Sequence, residues 1–357
     1  MLLIGVAMAK IFYRRVSSEG QSLDRQETGD ADKVFEEKLS AKNTDRPQLQ
    51  LCLDFLKDDD FIKVSYSSIK NNWEFKNEAE LTLLKKLRGF KKLSDISLNI
   101  SQGVIPGSDK IYYLEVIEEQ GEKVLVKNQL DDNTFLIEKK ITRSIIKGNN
   151  IKRYASPTSD YVIIYPYTFL NNEQKLLSLK ELEQTYPLTF NYLSEHKEFL
   201  INLRKKYKTN PLEWYGFHRA REMRFLETNK LITSHTSISP SFTYATGSNY
   251  FNQNVYGIEI KKEISLIQVL GILNSKLSDF YIRNTSSMIN GGYYLYKTDY
   301  ISNLPIITKE KSQLISLTKN ALELNSTLSN HNERFVKYLS QSYRIEKFSK
   351  KLENWNE

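Results

Sequence analysis

Residues 266–305 read LIQVLGILNSKLSDFYIRNTSSMINGGYYLYKTDYISNLP, and this stretch restricts the possible folds more than any other. Leu266, Val269, Leu270, Leu273, Leu277 and Phe280 recur at the three-and-four spacing of one buried helix face. The polar turn Asn290-Gly291-Gly292 follows, and then Tyr293-Tyr294-Leu295-Tyr296, an aromatic run with the composition of a strand. A second turn, Asp299 to Asn303, leads to Pro305. This order sets Asn290, Gly291, Gly292 and Tyr293 on a glycine-hinged loop held between rigid elements, where binding residues concentrate.

The rest of the chain supplies elements around that stretch. Leu81, Leu84 and Leu87 predict a helix over 77–88, stopped by Gly89. In the run from Leu93 to Lys110, Gly103 and Gly107 permit positive φ and close backbone approach, and amides bared there would face a phosphate. Ile111–Val116 and Lys123–Val126 predict a hairpin closed by Glu119-Gln120-Gly121-Glu122. Lys147, Lys152 and Arg153 flank the glycine turn of the run Ile145–Tyr154, a place suited to phosphate contacts. Tyr161–Tyr167 reads as a short strand ended by proline. Two helices are expected over 175–206, broken at Tyr186-Pro187, the second with a stripe of Phe190, Leu193, Phe199 and Leu203. Its cationic end, Arg204-Lys205-Lys206, is explained by the helix dipole alone. Arg219, Arg221 and Arg224 then alternate with Trp214, His218 and Phe225, a mixture that suits a duplex backbone and groove edges. Leu314, Leu317, Ala321, Leu324 and Leu328 form a helical seam, expected to pack on its own domain, with dimerisation as the alternative.

Charge points to a polyanion partner: 51 Lys and Arg against 43 Asp and Glu leave a net +8. A single cysteine, Cys52, rules out an internal disulfide and fits a reducing, cytoplasmic setting. Met1–Ala9 is apolar but too short to span a bilayer, so no membrane association is expected. His218 and His235 have no partners at metal-ligand spacing, so no metal site is expected. Neither a phosphate-binding loop nor a dinucleotide fingerprint is written in the sequence. An N-P-P-Y or D-P-P-Y loop to receive a flipped base is also absent; Asn210-Pro211-Leu212 only echoes one.

L-G-I-L-N-S-K-L at 270–277, then G-G-Y-Y and L-P-I, resembles the closing segment of the TaqI-like C-terminal specificity domain. That is the DNA target-recognition domain of adenine-N6 methyltransferases and of type IIG restriction–modification enzymes. The runs Leu93–Lys110, Ile145–Tyr154 and Trp214–Ile232, and the closing Tyr343–Trp355, resemble the same family. The resemblance implies an α/β (α+β) fold, with a mixed-sheet recognition domain over 61–308 and a helical spacer over 309–357. It implies sequence-specific double-stranded DNA binding within a restriction–modification system, through Gly103, Gly107, Lys147, Lys152, Arg153, Arg219, Arg221, Arg224 and Asn290–Tyr293. A methyltransferase or nuclease would be supplied by another chain. No cofactor is expected here; S-adenosylmethionine belongs to a missing or partner methyltransferase domain.

The N-terminal segment is of a different kind. Tyr13, Arg15, Val16, Ser17 and Gln21 resemble the Y-x-R-V-S-x-x-x-Q signature of the serine recombinase (resolvase) catalytic domain. The resemblance implies Ser17 as a nucleophile toward a DNA phosphate and Arg15 as the group that stabilises charge on the phosphoryl oxygens. The alternative function is therefore recombinase strand exchange through Ser17. Phosphoryl transfer needs several cationic donors. The family's later arginine segment is missing where this chain reads Phe61–Ser68, and the first helix is cut short. Residues 1–60 are accordingly expected to be a truncated, inactive α/β fragment.

Overall fold

The computed structural model describes residues 11–16, 33–38, 47–55, 78–130, 133–171, 173–247 and 249–343, and it divides at residue 85 into two compact units.

In the first unit, β1 (Ile11–Val16) and β2 (Lys33–Lys38) pair in parallel, Ile11 opposite Lys33. Helix α1 (Pro47–Phe55) buries Leu49 and Cys52. The Phe35 and Phe55 rings lie 5.8 Å apart, with the Lys33 ammonium 4.0 Å from the centre of Phe55. Arg15 belongs to β1, whereas Ser17, Gln21 and the stretch 61–68 lie outside the described residues. Helix α2 (Glu78–Leu87) runs across the division, as its leucine spacing predicts, and the Gly89 amide closes it on Lys86 O at 3.2 Å.

The second unit opens with β3 (Lys91–Lys92), α3 (Leu93–Ile96), β4 (Ser97–Gln102) and α4 (Asp109–Tyr112). Strands β5 (Tyr113–Gln120) and β6 (Lys123–Lys127) form the expected hairpin, turned at Gly121 with φ +63°. After them come β7 (Thr134–Glu138), β8 (Thr142–Ile146), β9 (Tyr161–Ile164), and the hairpin of β10 (Tyr167–Leu170) with β11 (Glu173–Leu176). Three helices follow: α5 (Leu179–Thr185), α6 (Pro187–Glu195) and α7 (Lys197–Lys206). Then come α8 (Met223–Glu227), β12 (Lys230–Ser234), β13 (Thr236–Ser237), β14 (Phe242–Ala245), β15 (Tyr250–Phe251) and β16 (Val255–Ile260). The chain continues through α9 (Leu266–Leu273), α10 (Lys276–Thr285), β17 (Met288–Ile289), β18 (Tyr293–Leu295), α11 (Thr298–Ile301) and β19 (Pro305–Ile306) to α12 (Ser312–Tyr343).

Two main sheets result. A mixed six-stranded sheet has the order β15-β8-β9-β5-β6-β7, with β15 parallel to β8 and the other pairs antiparallel. A four-stranded antiparallel sheet has the order β14-β12-β16-β4. The expected α/β class, with a mixed sheet and packed helices, is therefore what the chain adopts.

Three expectations need correction. The periodic stretch from Leu266 is two helices and not one. The Asn274 amide turns onto β14, donating to Phe242 O at 2.8 Å and accepting from its N–H at 2.9 Å. Ser275 then caps α10, its Oγ accepting from Ser278 N at 3.2 Å. The stretch from Lys175 holds three helices. The Glu138 carboxylate accepts from Leu188 N, Thr189 N and Thr189 Oγ1 at 2.7–3.0 Å at the start of α6, and α7 restarts after His196. That restart turns Phe199 outward, 55% exposed, and turns Arg204 inward. The seam of α12, finally, is covered by its own domain only at its start, where Leu314 and Thr318 pack on α9. Thr318 sits so close to Gly271 of α9 that a side chain there would collide with its Oγ1, but Leu317, Leu324, Leu328, Phe335 and Tyr338 remain exposed.

Tyrosine serves the interior more than the surface. Tyr165 meets Tyr250 and Phe217 edge-on at 5.0 and 5.5 Å, and Tyr112 meets Phe217 at 5.3 Å. Their hydroxyls are not left bare. Tyr112 donates to Tyr215 O at 2.9 Å, and Tyr167 Oη accepts from Phe217 N at 2.6 Å. Arg204 adds bonds to the carbonyls of Asn210, Gly216 and Phe217 at 2.8–3.1 Å. Buried donors and acceptors must be paired, and these pairings fix the segment 210–221 in place.

Candidate nucleic-acid interface

The site is built at one end of the four-stranded sheet. The registers bring Ser234 opposite Val255, Tyr256 opposite Gln102, and Thr233 opposite Phe242. The loops that carry the charged residues leave from this end. At the β4 edge, Gly103 is buried; its amide donates to Val255 O at 3.1 Å, and a Cβ there would overlap the Phe251 carbonyl. Gly103 therefore serves close backbone approach, and its amide is already taken. Val104 N donates to Phe251 O at 2.9 Å, and Ile105 and Arg219 exchange both backbone bonds at 2.9 and 3.0 Å. That exchange holds Arg219, exposed, beside the half-buried Arg221. Arg221 adopts φ +62° and donates its Nε to Gly103 O at 3.1 Å. Burial lowers the Arg221 pKa, and the charge of Arg219 lowers it further.

An open pocket of about 500 Å³ lies where this sheet end meets the six-stranded sheet. Asp109, Lys147, Gly148, Ser234, His235 and Asn252 are in its wall. Lys147 is half-buried, with its ammonium 3.3 Å from the centre of the Tyr161 ring. Burial lowers its pKa, partly offset by Asp109 and then Glu115. Asp109 is raised by burial, partly offset by the hydrogen bond from Gln253 and by the charge of Lys147. His235 is lowered by burial and by Lys297. Gln253 joins the pocket to the arginine edge: it donates to Asp109 at 3.3 Å, and its carbonyl accepts from Gln102 at 3.2 Å. Gln102 in turn bonds Tyr256, which senses the charge of Arg221.

The loop Asn290–Gly292 reaches the same sheet end. Strand β13 continues from β12 beyond His235 and pairs with β18, and β18 pairs with β17. Gly291 and Gly292 turn the tip with φ +79° and +75°, conformations that favour glycine. All of Asn290–Tyr293 is exposed, as is Met288 at 65%. Arg153 stands at the opposite edge of the sheet. It donates to Asn274 O, beside the start of β14, and its guanidinium lies 5.2 Å from the Tyr154 ring centre. Lys152 next to it is exposed.

The sheet end thus gathers Gly103, Lys147, Arg219, Arg221 and the exposed hairpin, with Lys152 and Arg153 at its far edge. Gly107 and Arg224 do not join them. Gly107, φ +100°, packs toward Leu203 and His218. Arg224 lies 5.9 Å from the Phe169 ring on the β10–β11 hairpin. The sequence does not single out Asp109, Asn252 or Gln253, and it raises His235 only as a metal ligand. Asp109 had a signal, since it closes the same run of residues that contains Gly103 and Gly107.

Residues 143–306 match the family model of the TaqI-like C-terminal specificity domain. Lys147, Lys152, Arg153, the three arginines and the hairpin tip lie inside the matched residues, and Gly103, Gly107 and Asp109 precede them. Residues 10–68 match the resolvase N-terminal domain, and residues 307–357 match a domain of unknown function. The type II restriction enzyme and methyltransferase RM.Eco57I of Escherichia coli is 21% identical over 262 residues, covering 69% of this chain and 26% of that protein. Two solved structures are also similar. The type IIL restriction-modification enzyme MmeI in complex with DNA has 15% identity and a TM-score of 0.43 over 67% of this chain and 29% of its own. The type IIG restriction endonuclease BpuSI has 11% identity and a TM-score of 0.41 over 70% of this chain and 28% of its own. The chain thus spans only 26–29% of the length of these proteins.

Proposed function

We propose that this chain is the DNA target-recognition part of a restriction–modification system and that it reads a short site in duplex DNA. The observation that carries this is the row of cations across one sheet end, from Arg219 and Arg221 through Lys147 to Arg153, beside an exposed glycine-hinged hairpin. Three inter-strand spacings of about 4.8 Å separate the outer strands, roughly 14 Å in all, a width comparable with the major groove at about 12 Å. The restriction–modification relatives support the assignment. The catalytic step, with adenine-N6 methylation as the expected chemistry, and the binding of S-adenosylmethionine fall to a methyltransferase part outside these residues. The test is retention of a randomised duplex pool by the full chain at low salt, followed by sequencing. Enrichment of one short site is expected; retention of no duplex would refute the proposal.

We further assign the exposed seam of α12 to a second copy of the chain. Leu317, Ala321, Leu324, Leu328, Phe335 and Tyr338 follow a heptad spacing. The flanking Asn320, Asn325, Thr327 and Asn332 are uncharged and Arg334 is the one charge beside the seam, so two copies meet there without strong repulsion.

A second function, strand exchange through Ser17, is favoured by the match of residues 10–68 to the resolvase N-terminal domain. It requires a covalent DNA adduct that disappears in Ser17→Ala. Failure to trap an adduct on any duplex would remove it.

A further inference from the structure

The pocket beside the sheet end holds charged groups whose bonding is incomplete. The Lys147 ammonium rests 3.3 Å over the Tyr161 ring and has no hydrogen-bond acceptor among the described residues. Asp109 accepts from Gln253 at one carboxylate oxygen, at 3.3 Å. The Nε2 of His235 is buried and has no hydrogen-bond partner among the described residues. Lys147 and Asp109 sense each other's charge, but no ion pair joins them. Gly148 keeps the wall open, since a Cβ there would stand 2.8 Å from Ser234 Oγ.

A phosphate does not fit this arrangement. It would satisfy Lys147 but would be repelled by Asp109 in the same opening. What fits is a group offering an acceptor and a donor side by side. The edge of an amino-bearing base has this pattern: adenine presents N7 beside its N6 amino group, and a G·C pair presents O6 and N7 beside the cytosine N4 amino group. The opening of about 500 Å³ is ample for one base.

We propose that Asp109 and Lys147 read the edge of an amino-bearing nucleobase. Asp109 accepts from the exocyclic amino group, and Lys147 donates to the neighbouring ring nitrogen or carbonyl oxygen. This rests on the duplex-binding reading above and changes the role of Lys147 from a backbone contact to a specificity-determining residue. The same edge is offered by a base inside its pair and by one turned out of the stack.

The experiment uses the full chain, Asp109→Asn and Lys147→Gln, each with a randomised duplex pool at low salt, and the retained duplexes are sequenced. The wild-type chain is expected to prefer adenine or a G·C pair at one position. Each variant should weaken that preference at least about tenfold, leave the other positions alone, and keep the dependence of affinity on salt. A 2-aminopurine placed beside the selected base brightens if that base leaves the stack and stays dark if it is read in its pair. Unchanged preference in both variants would overturn the proposal. So would a uniform loss in Lys147→Gln with a salt slope lower by about one, the mark of a phosphate contact. If the wild-type chain retains no duplex, the duplex-binding reading fails, and this pair fails with it.

Discussion

Arg221 donates its Nε proton to the carbonyl oxygen of Gly103 at 3.1 Å, tying the segment after Phe217 to the end of β4. The bond forms only because the backbone of Gly103 runs against that of Phe251 and Asn252 with no room for a side chain. Gly103→Ala should therefore destabilise the fold by about 3 kcal/mol or more, since backbone and not a flexible side chain must move. A thermal melt tests this, and a variant as stable as wild type would show that the approach is looser than described.

Lys230 is fully buried, with its ammonium bonded to Leu226 O and Thr228 O at 2.7 and 2.5 Å. Burial pushes its pKa down to about 8 from the ordinary 10.5, against the opposing effect of Glu259 and Glu227. Between these values the unfolded chain holds a proton that the folded chain has released, so stability rises with pH across this window and lacks that gain below it. Lys230→Met removes the linkage. Denaturant unfolding should show the wild-type chain gaining on the order of 1–3 kcal/mol over the variant between about pH 7.5 and 10. Parallel pH profiles would contradict a depressed lysine.

Helix α12 is 32 residues long, roughly 48 Å. Leu324 on it is 70% exposed although its spacing is that of a packed seam. Light scattering of the full chain should give the mass of two copies at micromolar concentration, and Leu324→Asp with Leu328→Asp should give one. A wild-type mass of one copy would contradict self-association through the seam.

The sequence makes local elements legible where the signal is itself local. The leucines of α2, Gly121 in the β5–β6 turn and Pro187 at the start of α6 each act within one turn of chain, and each holds its expected place. The misreadings came from distant partners. Asn274 interrupts the helical period of Leu266–Phe280 because Phe242, far away in sequence, offers its backbone groups. Arg204 reads as one more cation at a helix end, yet its donors are used by the carbonyls of Asn210, Gly216 and Phe217. The same holds at the site. A glycine turn points to Lys147 and the alternation of arginines with aromatics points to Arg221, but only the register of β12, β16 and β4 shows that they share one sheet end. No spacing rule could separate Arg224, whose neighbour is Phe169 on another hairpin.

Salt dependence is the most direct test of a duplex gripped across that sheet end. Each phosphate contact releases counterions and adds about 0.9 to the slope of log affinity against log salt. Fluorescence anisotropy with the full chain and a duplex, from about 50 to 200 mM salt, is expected to give a slope near −3 or steeper. Arg219→Gln at the β4 edge and Arg153→Gln at the β14 edge should each reduce it by about one. Absence of affinity at the lowest salt, or a slope that neither substitution moves, would contradict it.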